Sequence, residues 1–301
     1  MEHFSFWFRR IAYNNARIKS FVTVLARAFA VFLVFALWKP LPAYSISYLT
    51  SGLEAADKTA VDSGFKKQRL ATSFFCLTAY TRFDEASSLL RVYIEGDGFA
   101  FSSRRFVSGN PTPSQPLVLK LAAIDPHKNT AYLARPCQYI SEKEERNYHD
   151  RYWSQARFSQ EVIDSMNEAI DVLKMQSGAS DVLLIGYSGG AAVAVLIAAK
   201  RDDVSGLITI AGNLDHEAVN RYHKVSQLEG SLNPADYAGK ISKIPQCHFA
   251  GAGDSVVPIS VIEGFARAAG DSKCETVTIV DDCGHNDGWV KKWRQLLSQA
   301  F

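Results

Sequence analysis

The sequence predicts an α/β fold, a mostly parallel sheet with helices on both faces. Three observations carry this. Short apolar runs alternate with helical patterns along residues 71–301. The run DVLLIGY (181–187) is nearly continuous in apolar residues, as in a strand buried on both faces. Glycine-rich turns (GDG, GYSGG, GAGD) stand at the ends of predicted strands, where open parallel sheets bind their ligands.

The elements follow in chain order. Residues 46–70 are polar and mixed and read as a linker into the fold. Residues 74–81 and 89–95 read as strands, and the short polar connection between them predicts an antiparallel hairpin. Residues 117–124 form a short helix and 129–134 a strand. Apolar residues at 158, 162, 163, 166, 169, 170 and 173 lie on one helical face, which Ser177-Gly178 closes. The strand 181–187 leads into an Ala/Val-rich helix, 191–200, and then a strand, 206–211. Residues 212–240 are long, irregular and punctuated by Gly, Asn and Pro. Strands at 246–250 and 275–280 are each followed by a helix, 258–269 and 287–298.

Composition sets outer limits. The chain has 301 residues, 47% hydrophobic and 21% charged, with a formal net charge of +2. That is enough for a sizeable core, and the near-neutral balance speaks against a nucleic-acid partner. The charge is unevenly placed. Residues 1–45 hold Arg9, Arg10, Arg17, Lys19, Arg27 and Lys39 against Glu2, a sum of +5, so the remaining 256 residues carry −3. An apolar run at 28–38 (AFAVFLVFALW) follows the basic residues, and Pro40 and Pro42 follow the run. This is the layout of a signal peptide, with Ala43-Tyr44-Ser45 supplying small residues for cleavage. Extended back to residue 21, the same segment reads as an uncleaved membrane anchor, and both readings place the body outside the cytoplasm, periplasmic or tethered to the inner membrane. The five cysteines (76, 137, 247, 274 and 283) are odd in number, and Cys247–Cys274 is the preferred pair because both stand near starts of neighbouring strands. Their spacing fits no zinc motif and no HExxH occurs, so neither metal nor cofactor is expected.

The strand-end turns carry the candidate chemistry. Gly186-Tyr187-Ser188-Gly189-Gly190 is a G-x-S-x-G pattern with a strand before it and a helix after it. A sharp turn of this kind thrusts the Ser188 hydroxyl into the open, and the flanking glycines let strand and helix approach closely. The helix N-terminus favours a developing anion. A serine hydroxyl needs a base, and the base an orienting acid, expected later in the chain in the order Ser, Asp, His. Asp254 follows the strand at 246–250, and His285 follows the last strand in a glycine-flanked loop. Asp215, one strand earlier, remains an alternative acid. Two oxyanion donors are needed. One is the N–H of Gly189, and the other is that of Asp97 or Gly98, in the Gly96-Asp97-Gly98 turn.

These residues resemble the α/β-hydrolase superfamily, on the strength of GYSGG, GAGDSVVP, CGHNDGW and VYIEGDG, across about residues 70–300. With the segments YLARPCQY and AGNLDH, the chain is similar to a group of bacterial exported serine hydrolases. The resemblance implies an eight-stranded, mostly parallel sheet, a small cap over the site from residues 212–240 and an esterase-type mechanism. Many members carry His-Gly in the oxyanion loop, where this chain has Glu95-Gly96. The expected activity is therefore serine hydrolysis of an ester, thioester or amide in a small-molecule or acyl substrate. Acyl transfer or peptide cleavage by the same triad, and a catalytically silent envelope binding protein, are the alternatives. Arg104 and Arg105, soon after the oxyanion loop, read as solvated surface charges. Oligomeric state is open, and membrane association would run through the N-terminal segment.

Overall fold

The computed structural model of the chain describes residues 43–83, 87–270 and 275–300. The predicted export segment lies almost wholly outside these residues, and so does Cys274, with the pairing expected for it. Among the described residues, no helix is long and apolar enough to cross a membrane.

The chain enters through helix α1 (Ala43–Asp62) and strands β1 (Lys66–Ala71), β2 (Cys76–Phe83) and β3 (Leu89–Ile94). A small hairpin of β4 (Phe101–Ser103) and β5 (Phe106–Val107) precedes helix α2 (Leu117–Ile124) and strand β6 (Asn129–Leu133). Helix α3 (Gln160–Ser177), β7 (Asp181–Tyr187), α4 (Gly189–Ala198), β8 (Val204–Ile210) and α5 (His216–His223) follow. The chain closes through β9 (Gln246–Gly251), α6 (Ile259–Ala269), β10 (Glu275–Val280) and α7 (Trp289–Gln299). The described strands other than β4 and β5 form an eight-stranded sheet in the order β1-β2-β6-β3-β7-β8-β9-β10. From β6 to β10 all pairings are parallel; β1–β2 and β2–β6 are antiparallel.

The strand period of two explains the two cores. In β7, Val182 and Leu184 face one core with α3, α4 and α6, whereas Leu183 and Ile185 face the other with α1, α2 and α7. Helix α4 is buried at every position, and its small Gly, Ala and Val side chains let it lie close against the sheet. Helix α3 ends where Gly178 takes φ 70°, as its sequence predicts.

Three expectations are corrected. Residues 46–70 are not a linker. They contain most of α1, which buries Ala56 and Ala60, and most of β1, which pairs with β2 and buries Leu70. The apolar anchors of α1 are small, and β1 (KKQRLA) is a charged edge strand, so neither produces a strong hydrophobic period. The strands at 74–81 and 89–95 do not form a hairpin, because β6 lies between β2 and β3. β3 is a central strand, parallel to both β6 and β7. Lastly, residues 212–240 do not roof the site described below. Their helical part at Pro234–Ile241 packs Ala238 and Ile241 into the core with α4 and α6.

The chain leaves β3 for β6 on one side and reaches β7 on the other. The ends of β3 and β7 therefore flank a topological switch point, the place where such sheets leave a crevice.

Candidate active site

Ser188 sits between the end of β7 and the start of α4 with φ 51° and ψ −119°, a conformation that side-chain-bearing residues rarely adopt. The crowding behind it explains the glycines. A Cβ on Gly186 would stand 2.5 Å from the Ala191 Cα, and one on Gly190 would stand 2.5 Å from the Glu95 carbonyl oxygen. The backbone of β3 leaves no room for a side chain at that turn.

His285 reaches the same point from the loop after β10. Its Nε2 lies 3.0 Å from the Ser188 Oγ, and its Nδ1 lies 2.8 Å from the Asp254 Oδ2. Asp254 stands in the loop after β9, its side chain 1% exposed, and its Oδ1 accepts the backbone N–H of Val256 at 2.7 Å and of Val257 at 2.9 Å. Burial alone would raise this carboxyl. The hydrogen bond to His285, its charge and the two amides outweigh burial and hold Asp254 below the usual carboxylate range. The His285 backbone is pinned as well, since its carbonyl accepts the Trp289 indole N–H at 3.0 Å and the Tyr187 hydroxyl at 3.1 Å. Asp215, the alternative acid, is engaged elsewhere. Its Oδ1 caps α5 through the Ala218 N–H and accepts Asn233 Nδ2, each at 3.0 Å. Three other histidines have other partners: His127 the Leu89 carbonyl, His248 the Thr209 hydroxyl and His223 the Val256 carbonyl.

The loop after β3 faces Ser188 across the crevice. The Gly96 N–H donates to the Glu95 carboxylate at 3.1 Å and the Phe99 N–H to the Pro111 carbonyl at 2.9 Å. Between them stand Asp97 and Gly98, the two residues predicted to supply the second oxyanion donor. Gly98 takes φ 63°, and a Cβ there would lie 2.7 Å from the Gln138 Nε2. Gly189, the first residue of α4, has no helical partner for its N–H. Its Cα faces Asp97, since a Cβ would lie 2.6 Å from the Asp97 Cγ.

Three further ionisable side chains stand here: two arginines that the sequence did not single out, and Glu95, whose place in this loop it did. Arg157 donates from Nη1 to the Asp97 Oδ2 at 2.6 Å, and the buried Arg135 donates to the Oδ1 at 3.3 Å. Burial would raise the Asp97 carboxyl, but the two guanidiniums hold it below its ordinary value. Burial also lowers Arg135 to about 10, with Asp97 pulling the other way. The only sequence signal for Arg135 is a lone charge inside the apolar run YLARPCQY at the end of β6. The third is Glu95. Burial pushes its carboxyl up to about 7, although the Tyr132 hydroxyl, at 2.9 Å, and the Gly96 and Val118 amides each favour the ionised form. Arg104 and Arg105 are exposed at the β4–β5 turn, as expected.

Ser188, His285, Asp97, Arg157, Phe101 and Glu95 all line one cavity of about 530 Å³. No residue of 212–240 lines it. Among the described residues, no group of three His, Cys, Asp or Glu could hold a metal ion.

A strand-end serine, histidine and aspartate on a mostly parallel eight-stranded sheet define the architecture of the α/β hydrolases. No protein-family model matches the sequence, and no curated protein matches it. Solved structures do match. Est1E from Butyrivibrio proteoclasticus superposes with a TM-score of 0.54 at 14% identity, over 77% of this chain and 96% of its own. A membrane phospholipase A described as a bacterial virulence factor superposes with a TM-score of 0.54 at 15% identity, over 94% of this chain and 99% of its own. The esterase Pf2001 from Pyrococcus furiosus does so with a TM-score of 0.53 at 13% identity, over 79% and 92%. At these identities the likeness is one of fold, and the chain has the α/β-hydrolase fold.

Proposed function

We propose that the protein is a serine hydrolase that cleaves an ester, thioester or amide through an acyl-enzyme. The continuous chain of contacts from Ser188 through His285 to Asp254 carries this reading. Ser188 Oγ attacks the carbonyl carbon as His285 Nε2 takes the hydroxyl proton. Asp254 holds the imidazole with Nδ1 protonated and stabilises the imidazolium. The carbonyl oxygen becomes an oxyanion facing the N–H of Gly189 and that of Asp97 or Gly98. Removing one such donor costs about 2.7–4 kcal/mol of transition-state stabilisation. The tetrahedral intermediate collapses, and His285 returns its proton to the leaving oxygen, sulfur or nitrogen. Water then repeats the sequence on the acyl-enzyme, and the acid is released.

The strain at Ser188 supports this over a retired site, because φ 51° is costly for a serine that only caps a helix. The esterase and phospholipase neighbours support hydrolysis as the reaction type. The basic-then-apolar pattern of residues 1–45 supports export of the body from the cytoplasm. A fluorophosphonate probe is expected to label the protein, and Ser188→Ala to abolish the label. Equal labelling of both proteins would remove Ser188 from the mechanism. Product analysis in the presence of alcohols or amines separates hydrolysis from acyl transfer.

A further inference from the structure

We propose that the Ser188 cavity selects esters carrying a carboxylate a few bonds from the scissile carbonyl, and that Arg157 receives that carboxylate. This rests on the serine hydrolase reading above and names its substrate class.

The argument begins with local charge. On the wall formed by the loop after β3, two guanidiniums, Arg135 and Arg157, face one carboxylate, Asp97. The other acids at the cavity are hydrogen-bonded. Asp254 is held by His285, Val256 and Val257, and Glu95 by Tyr132 and Gly96. Asp254 keeps its negative charge beside His285, and burial leaves Glu95 only partly ionised near neutral pH, so the attraction for an anion is local to the Arg157 guanidinium that lines the cavity.

The two arginines divide the work by depth. The Arg135 side chain is 4% exposed and braces Asp97 from behind. The Arg157 side chain is 14% exposed and lines the cavity. Arg157 Nε donates to the Ser154 carbonyl at 2.6 Å and its Nη1 to Asp97, which accounts for two of its five N–H groups. The N–H groups that remain belong to a planar fork, whose geometry matches a second carboxylate. The guanidinium carbon lies 5.6 Å from the centre of the Phe101 ring, which gives it an apolar neighbour.

Position sets the distance to the chemistry. Asp97 is wedged between Arg157 and Gly189, whose N–H is an oxyanion donor. Arg157 is thus about one carboxylate's breadth from the oxyanion site. A carboxylate at the end of a short chain, as in a half-ester of a small dicarboxylic acid, spans that gap.

The test uses the full chain and two matched substrate pairs. For the acyl side these are mono-p-nitrophenyl succinate and p-nitrophenyl butyrate; for the leaving side, 4-acetoxybenzoate and phenyl acetate. The readout is the ratio of kcat/KM, anionic over neutral, within each pair. A ratio above about tenfold is expected in one pair, carried mainly by KM, and the pair that shows it tells which product bears the anion. Salt at about 0.5 M should shrink it. Arg157→Gln should lower the ratio about tenfold whatever its absolute rate, Arg157→Lys should keep part of it, and Arg104→Gln at the exposed turn should leave it unchanged. Ratios at or below one in both pairs, or a ratio untouched by Arg157→Gln, would overturn the proposal. If Arg157→Gln does not fold, the wild-type ratios and their salt dependence still decide. Absence of both turnover and fluorophosphonate labelling would instead sink the hydrolase reading, and this proposal with it.

Discussion

Replacing Glu95 by glutamine should change how the stability of the protein depends on pH. The Glu95 carboxyl is buried, and its pKa in the folded protein is about 7, against 4.5 for an ordinary glutamate. Between those values the folded state keeps a proton that the unfolded chain has released. Stability falls with rising pH wherever the native state binds more protons. This contribution is therefore fully present below pH 4.5 and is lost as pH rises through about 7. Raising the carboxyl from 4.5 to about 7 corresponds to about 3 kcal/mol in all. Glutamine keeps the shape and the acceptor for the Gly96 N–H, its amide can donate to the Tyr132 oxygen, and it cannot ionise. Urea unfolding followed by tryptophan fluorescence at about pH 5 and 8 gives the comparison, with the buried Trp289 and Trp293 as reporters. The stability of Glu95→Gln relative to wild type should rise by about 2.5 kcal/mol between the two pH values, because part of the effect is already spent at pH 5. Parallel pH profiles would show that Glu95 ionises in the native state much as it does in water, and would refute the reasoning.

Two more predictions concern the Ser188 turn and the proposed triad. Asp254→Asn leaves the His285 Nδ1 facing an amide and should lower kcat on a p-nitrophenyl ester about 10⁴-fold with little change in KM; an unchanged kcat would exclude Asp254 as the orienting acid. Gly190→Ala places a methyl group 2.9 Å from the Glu95 carbonyl carbon, so it should cost about 1–3 kcal/mol in thermal or urea unfolding and slow fluorophosphonate labelling of Ser188; full stability and full labelling together would contradict the packing described at that turn.

Much of the fold was legible because its signals are local. The run at 181–187 is a strand by its own apolar character, and α3 follows from the spacing of seven apolar residues and the glycine that stops it. The elbow at Ser188 was legible for the same reason, since its glycines are required by atoms only a few residues away, together with the end of β3. The first 25 residues of the body were misread because α1 anchors itself with alanines and β1 is a charged edge strand. Neither has a hydrophobic period strong enough to be seen. The hairpin expectation failed for a different reason. Two strands close in sequence are not obliged to pair, and β6 competes successfully for the place beside β3.

By itself, then, the sequence determined the strand-helix alternation, the serine turn and the chain order of Ser188, Asp254 and His285, because periodicity and turn chemistry are written within a few residues. Tertiary structure decided what depends on distant segments meeting. It set β6 between β2 and β3, engaged Asp215 as a helix cap, and brought Arg135 and Arg157 to the same carboxylate of Asp97. No local pattern encodes such meetings. An arginine reads the same in sequence whether it ends on the surface, like Arg104, or in the Ser188 cavity, like Arg157, and only the packing of the sheet tells them apart.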